Sequence, residues 1–364
     1  MTKHSLQVVL RRSHNMIKFG TNIPKDYIAL NWCITKYCQF NCHYCTSKDF
    51  LVSVKKIGME TAIHHDKELL ATHDRIADLI PKVIKKGHVF FTGGDPSAHP
   101  KAFKYFNSIC EQTVDNPEFR VLLSTHGDTD RLLELNPGNK KEHMIVVSFH
   151  MIQVRDRFDK WIEGVKKLND KGYNVLFSGV IPRQEKQWEE FKNYVEQVYE
   201  LGIPIEIKPE ICRQTLRTDE RGLNYMKDLY VKTTKGRGDL TTDLVVRETT
   251  IEDDKNNKQL INNIRISNNI PLEPGRTFCY TKQFEVNSEA DIVYTCGQGG
   301  KKVLSPNTNE TELSEFIYQP PLRCNAEFCI WAKWVPEATI LGVDLTHDKY
   351  AHALDEYFDG DLND

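Results

Sequence analysis

The chain has 364 residues, 40% of them apolar and 27% charged, and a formal charge of −3. It can bury a full-sized core, presents no basic field for nucleic acid, and has no apolar run long enough to span a bilayer. Met1 to Lys18, interrupted by Lys3, Arg11, Arg12 and His14, lacks the apolar centre of a signal peptide, so a cytoplasmic protein with no membrane or nucleic-acid partner is expected.

After an N-terminal extension (1–26), residues 27–210 alternate short β-rich runs with helical patterns. The expected strands are Tyr27–Cys33, His88–Phe91, Arg120–Ser124, Met144–Phe149, Asn174–Gly179 and Ile203–Ile207. Each is apolar almost throughout, as parallel strands buried on both faces are. Between them, Ile76, Leu79, Ile80, Val83 and Ile84 repeat at helical spacing, with Pro81 expected to kink that helix or begin a new one. Phe158, Trp161, Ile162, Val165 and Leu168 give another helix ended by Gly172, and Trp188, Phe191, Val195 and Val198 a third ended by Gly202. Six such units read as an α/β fold, a partial (β/α)6 barrel of TIM type, with the chemistry on loops after the strands' C-terminal ends.

Residues 211–275 form a polar insertion, and the run Glu252 to Lys258 reads as a solvated loop or hairpin tip. In 276–335, Phe284-Glu285-Val286 and Ile292-Val293-Tyr294 alternate around a turn and read as a β-hairpin. The tail 336–364 is acidic and reads as a short surface helix.

The ten cysteines are unevenly placed, and in a reducing cytosol clustered cysteines are ligands or catalytic groups more often than disulfides. Cys38, Cys42 and Cys45 form a C-x₃-C-x₂-C triad directly after the first strand. Three thiolates on one tight loop can hold three irons of a cubane and leave the fourth open to a substrate or cofactor. The spacing alone also admits zinc, with His43 as a fourth ligand. Cys33 reads as a small apolar residue within the strand.

Triad and neighbours together resemble the radical S-adenosylmethionine (SAM) superfamily over about residues 27–210. Tyr44 stands at the aromatic position of that family's cysteine motif. Phe90-Phe91-Thr92-Gly93-Gly94-Asp95-Pro96 follows the second strand, where the family carries Gly-Gly-Glu-Pro, with Asp95 one methylene shorter than the usual Glu. The resemblance implies a [4Fe–4S] cluster on Cys38, Cys42 and Cys45, with Tyr44 near the adenine. It places Gly93, Gly94, Asp95 and Pro96 at the amino group of the methionine moiety, where the carboxylate takes up charge. It places Ser148 and His150, at the end of the fourth strand, near the ribose. Val180, in the stretch Ser178 to Ile181, would lie near the adenine. Ser124 and His126 end the third strand on the same rim.

Cys279, Cys296, Cys324 and Cys329 form a second set, C-x₁₆-C…C-x₄-C, around the hairpin. The layout resembles the twitch domain, a shortened relative of SPASM, which implies one auxiliary [4Fe–4S] cluster. No cysteine follows Cys329, and Ser288 and Ala290 stand where hairpin glycines are usual. Spacing alone leaves a structural zinc site open. Cys110 and Cys212 read as inert thiols.

The resemblance implies an enzyme. A flavodoxin- or ferredoxin-type donor reduces the cluster, SAM is cleaved to methionine and a 5′-deoxyadenosyl radical, and the radical takes hydrogen from a peptide or small-molecule substrate. The alternatives are a zinc-organised binding protein without catalysis, and methyl or aminocarboxypropyl transfer from SAM.

Overall fold

The computed structural model describes residues 17–19, 26–42, 45, 52–53, 73–127, 130–138, 140, 142–182, 184–209, 249–252, 258–261, 277–279, 282–288, 290–294, 303–318 and 322–324. Its main sheet has nine strands. In chain order these are β1 (Ile28–Thr35), β2 (Gly87–Gly93), β3 (Phe119–Thr125), β4 (Met144–Phe149), β5 (Val175–Ile181), β6 (Ile205–Pro209), β7 (Lys282–Val286), β8 (Ile292–Tyr294) and β9 (Val303–Leu304). They lie in the order β9-β8-β7-β1-β2-β3-β4-β5-β6.

Strands β1 to β6 pair in parallel, each with the next. All six were legible as apolar runs, and the fourth has the expected bounds. Among the described residues the longer helices are α1 (73–83), α2 (Ala102–Gln112), α3 (Phe158–Asp170), α4 (Trp188–Glu200) and α5 (Glu310–Ile317). Pro81 does not interrupt α1, and the Ile84 N–H still donates to the Ile80 carbonyl at 2.9 Å. The helix forgoes the one bond that the proline nitrogen cannot make. No helix among the described residues is long and apolar enough to cross a membrane.

The strands' alternation divides the core. Ile28, Leu30, Trp32 and Ile34 of β1 point outward with Val89 and Phe91 of β2 and Ile145, Val147 and Phe149 of β4, into one large cluster with the helices. On this side Phe149 meets Phe158, Trp161 and Phe177 at ring distances of 5.7, 5.1 and 5.5 Å. Such aromatic pairs add roughly 0.5–1.5 kcal/mol each beyond the area they bury. The opposite, inner face carries a small apolar plug of Leu122, Met144, Val146 and Leu176, with Phe90 against it. By strand parity Asn31, Cys33, Thr92, Ser124, Ser148, Ser178 and Val180 share this inner face. Cys33 thus lies in the strand as expected, but on the inner face and only half-buried. Burial, and then the charge of Glu285, pushes its thiol up to about 12.

The two runs read as a hairpin pair antiparallel, Phe284 opposite Tyr294 and Val286 opposite Ile292. The hairpin is built onto the barrel sheet, because β7 pairs in parallel with β1, Phe284 beside Leu30 and Glu285 beside Asn31. Ala290, at the turn, has a φ of 61°, the left-handed conformation that glycine would adopt without penalty. Helix α5 closes this edge. An Asn309–Glu312 capping box starts it, Phe316 meets Phe284 at 5.5 Å, and the Tyr318 hydroxyl donates to the Val83 carbonyl of α1 at 3.1 Å.

A second, five-stranded sheet gathers 258–261, 249–252, 17–19, 277–279 and 322–324 in that order. Thr249–Glu252 and Lys258–Ile261 pair antiparallel around the polar run expected to be a hairpin tip. The acidic tail lies outside the described residues.

Candidate active site

Strand β1 delivers the chain to the thiol loop through a local turn, in which the Thr35 hydroxyl oxygen accepts from the Tyr37 N–H at 3.1 Å. Tyr37 and Cys38 then pair in parallel with Val52 and Ser53, so the loop leaves and returns at one place. Cys38, Cys42 and Cys45 are all half-buried free thiols. The Phe40 N–H points at Cys38 Sγ (3.4 Å), and the Cys45 N–H donates to the Cys42 carbonyl (3.3 Å). Burial foremost, then the charges of Asp95, Cys42 and Cys45, pushes the Cys38 thiol up to about 12 against that N–H. A metal that binds these thiols must displace their protons.

The glycine turn at the end of β2 lies directly against this loop. The Gly94 N–H donates to the Thr35 carbonyl and the Asp95 N–H to the Tyr37 carbonyl, both at 2.8 Å. The two glycines make that approach possible. Gly93 has a φ of 119°, and a Cβ on either residue would overlap a backbone carbonyl oxygen, that of Thr35 for Gly93 and that of Tyr37 for Gly94. Asp95 caps the short turn Pro96–Ala98 by accepting from the Ser97 N–H at 2.6 Å. Beyond the turn the Arg131 guanidinium donates to the carbonyls of Ser97, His99 and Pro100 at 2.8, 3.0 and 3.1 Å.

The Asp95 carboxylate is buried against the end of β3. Its side chain is 2% exposed. Besides Ser97, it accepts from the Thr125 hydroxyl at 3.0 Å and the His126 N–H at 2.8 Å, and His126 Nε2 lies 2.8 Å from Oδ2. Burial alone would raise its pKa. The His126 ring and these hydrogen bonds outweigh burial and hold the carboxyl well below the usual carboxylate range.

His126, expected on the open rim, is likewise buried at 3%, with its ring stacked on Phe40 at 4.0 Å. Ser148 is on the inner face, its hydroxyl 3.1 Å from that of Ser124. His150 reaches the thiol loop, with Nδ1 3.5 Å from Cys42 Sγ. Val180, near the end of β5, is half-buried, while Pro96 is buried. Tyr44, Cys212, Cys296 and Cys329 lie outside the described residues. The structure thus brings together the thiol loop, the glycine turn and His150, and leaves Ser148 and Val180 on the wall beside them.

Residues 32–198 match the family described as the Radical SAM superfamily. This segment is a radical SAM domain. The chain is accordingly an enzyme, and its cofactors are a [4Fe–4S] cluster and SAM. No curated protein matches the sequence. Among solved structures, native anSMEcpe with bound AdoMet and the Cp18Cys peptide is 11% identical, with a TM-score of 0.45, 91% of this chain covered and 96% of that one. Native anSMEcpe with bound AdoMet alone is 12% identical, with a TM-score of 0.47 and the same coverage.

The donor set of the radical SAM domain suits a cubane. A cubane takes one thiolate at each of three iron corners, and the loop offers three thiols on Cys38, Cys42 and Cys45. In the second sheet, Thr277 pairs with Cys324 and Cys279 with Leu322.

Two contributors to the site were missed from the sequence. Phe40 carries a signal of its own, an aromatic residue between ligands in a polar loop. Arg131 had no signal, because its three carbonyl partners are defined only by the folded turn.

Proposed function

We propose that Cys38, Cys42 and Cys45 hold the [4Fe–4S] cluster of the radical SAM domain. The backbone of Gly93 to Pro96 receives the methionine end of SAM, and Tyr44, Ser148, His150 and Val180 line its adenosine. The carrying observation is the pair of backbone hydrogen bonds, Gly94 to Thr35 and Asp95 to Tyr37, that fixes the thiol loop against the glycine turn. Two requirements of the chemistry, a cluster-binding loop and a binding edge for the methionine moiety, are thereby held in one register.

When bound, the reduced cluster supplies one electron to the sulfonium of SAM, giving methionine and a 5′-deoxyadenosyl radical that takes hydrogen from a substrate. The chain's own residues position and shield. The apolar plug of Leu122, Met144, Val146 and Leu176 closes the floor of the inner face against water. The hydroxyls of Ser124 and Ser148 offer polar contacts above it. The substrate is a peptide or small molecule, and a flavodoxin- or ferredoxin-type protein is the electron donor. Cys279, Cys296, Cys324 and Cys329 hold an auxiliary cluster in a twitch-like region, a reading supported by the antiparallel pairing of the strands that carry Cys279 and Cys324.

The test is anaerobic reconstitution, with iron and sulfide counted and 5′-deoxyadenosine measured after dithionite and SAM are added. About eight irons per chain with product formed supports both clusters, and about four with product supports the barrel cluster alone. Changing Cys38, Cys42 and Cys45 to Ala together is expected to remove the product entirely. Zinc without iron, and no product, would overturn the proposal.

A further inference from the structure

Phe40 stands between two of the three loop cysteines, and every side of it is engaged. Its N–H points at Cys38 Sγ (3.4 Å). The His126 ring stacks on one face at 4.0 Å and 25°, and His150 approaches its edge at 5.6 Å and 84° while also contacting Cys42 Sγ. Phe40 is 6% exposed, an unusual depth for the middle of a ligand loop.

His126 in turn is held from three directions. Its carbonyl accepts from the Trp161 indole N–H at 2.9 Å. Its own N–H donates to Asp95 at 2.8 Å, and its Nε2 sits 2.8 Å from the same carboxylate. Asp95 closes the circuit, because its N–H donates to the carbonyl of Tyr37, the residue before Cys38. A continuous path of short contacts therefore runs from Tyr37 through Asp95, His126 and Phe40 and back to Cys38.

We infer that Asp95 and His126 are positioning residues that hold the thiol loop in its ligand-presenting shape through the face of Phe40. The inference rests on the reading that this loop holds the cluster. It also assigns the inward carboxylate a role: the shortened acid of the Gly-Gly-Asp-Pro turn grips His126, and the backbone of the turn is left to face SAM. Asp95 is one methylene shorter than Glu, and its carboxylate both caps Ser97 and bonds His126.

The test begins on cluster-free protein, where the loop is read without iron. Iodoacetamide labelling of Cys38 is followed by mass spectrometry. An aromatic stack of this kind holds its partner about two- to tenfold more firmly than bulk contact alone. Phe40→Ala, His126→Ala and Asp95→Ala are each expected to speed labelling by about that factor. The Phe40→Ala/His126→Ala pair should be no faster than the faster single variant. His126→Phe combined with Asp95→Asn keeps the stack and strands no carboxylate, and should return labelling to the wild-type rate. Where circular dichroism shows that an Ala variant has not folded, Phe40→Leu takes its place, since it keeps apolar bulk and loses the ring face.

Wild-type labelling rates in folded His126→Ala, additive rates in the double variant, or failure of the Phe/Asn pair to rescue would each overturn the inference. In reconstituted protein the same variants should broaden the electron paramagnetic resonance signal of the reduced cluster, and the rescue pair should sharpen it. If the wild type takes up no iron, the cluster reading fails, while the labelling result still decides whether the path orders the loop.

Discussion

Gly94→Ala is expected to cut 5′-deoxyadenosine formation at least about 100-fold while leaving the barrel folded, since roughly 1 Å of displacement at a reacting centre costs that much. A Cβ at this position would overlap the Tyr37 carbonyl oxygen, with the Tyr37 and Lys36 carbonyl carbons close behind. All three are backbone atoms, so no side chain can rotate away. The strain is relieved only if the thiol loop and the glycine turn separate, which breaks the bonds Gly94 to Thr35 and Asp95 to Tyr37. Gly138→Ala is the control. Gly138 also has a left-handed φ, 69°, but nothing lies within 4 Å of an added Cβ. It should cost about 1–2 kcal/mol of stability and no activity. The measurement is product formation in the two reconstituted variants, with circular dichroism to verify the fold. Near-wild-type product from Gly94→Ala would mean that the register of loop and turn does not control SAM cleavage.

The parts of this architecture that were legible in the sequence are those with a local signal. Parallel strands buried on both faces read as apolar runs, and Met144–Phe149 was visible for that reason. The hairpin of β7 and β8 showed in the alternation around its turn. Its attachment beside β1 did not, because Glu285 meets Asn31 from far along the chain and no local pattern encodes that pairing. Helix α2 was missed although Phe103, Phe106 and Ile109 repeat at spacings of three. The inner-face position of Cys33 was also within reach, since Trp32 and Ile34 on either side are better core residues. The Asp95–His126 pair had no such signal. A polar residue at a strand end can turn to the rim or to the core, and only a buried partner decides between them. The cysteine triad and the Gly-Gly-Asp-Pro turn were legible because their chemistry depends on spacing. The side-chain directions around them depend on packing.

Lowering the pH from 6.5 to 4.5 is expected to destabilise the fold by about 6–7 kcal/mol, a large share of the 5–15 kcal/mol typical of a domain. Three histidines drive the loss. His73, His99 and His143 are fully buried. Each uses Nδ1 as an acceptor, from the Trp32 indole N–H, the Lys101 N–H and the Val121 N–H, at 3.1 Å in every case. Protonation at that nitrogen would break the bond. Burial first of all holds His73 and His143 down to about 4 and His99 to about 3. Between those values and 6.5 the unfolded chain binds protons that the fold refuses, at up to about 1.4 kcal/mol per pH unit for each histidine. Asp95 does not contribute in this window. Its folded pKa is depressed, so its stabilisation is present above the ordinary carboxylate range and fades only below it. Glu285 acts in the opposite sense. Burial raises its pKa, so its contribution is greatest in acid and is lost as pH rises, which offsets part of one histidine's effect. Urea unfolding of wild type and His143→Asn between pH 5 and 7 separates these terms. The Asn carbonyl can accept from Val121 without titrating, and His143 lies away from the thiol loop. The variant should lose up to about 1.4 kcal/mol per pH unit of slope at the acid end of that range. Parallel profiles for the two proteins would show that His143 takes up its proton alike in the folded and unfolded chains, and that the Val121 bond does not hold it neutral.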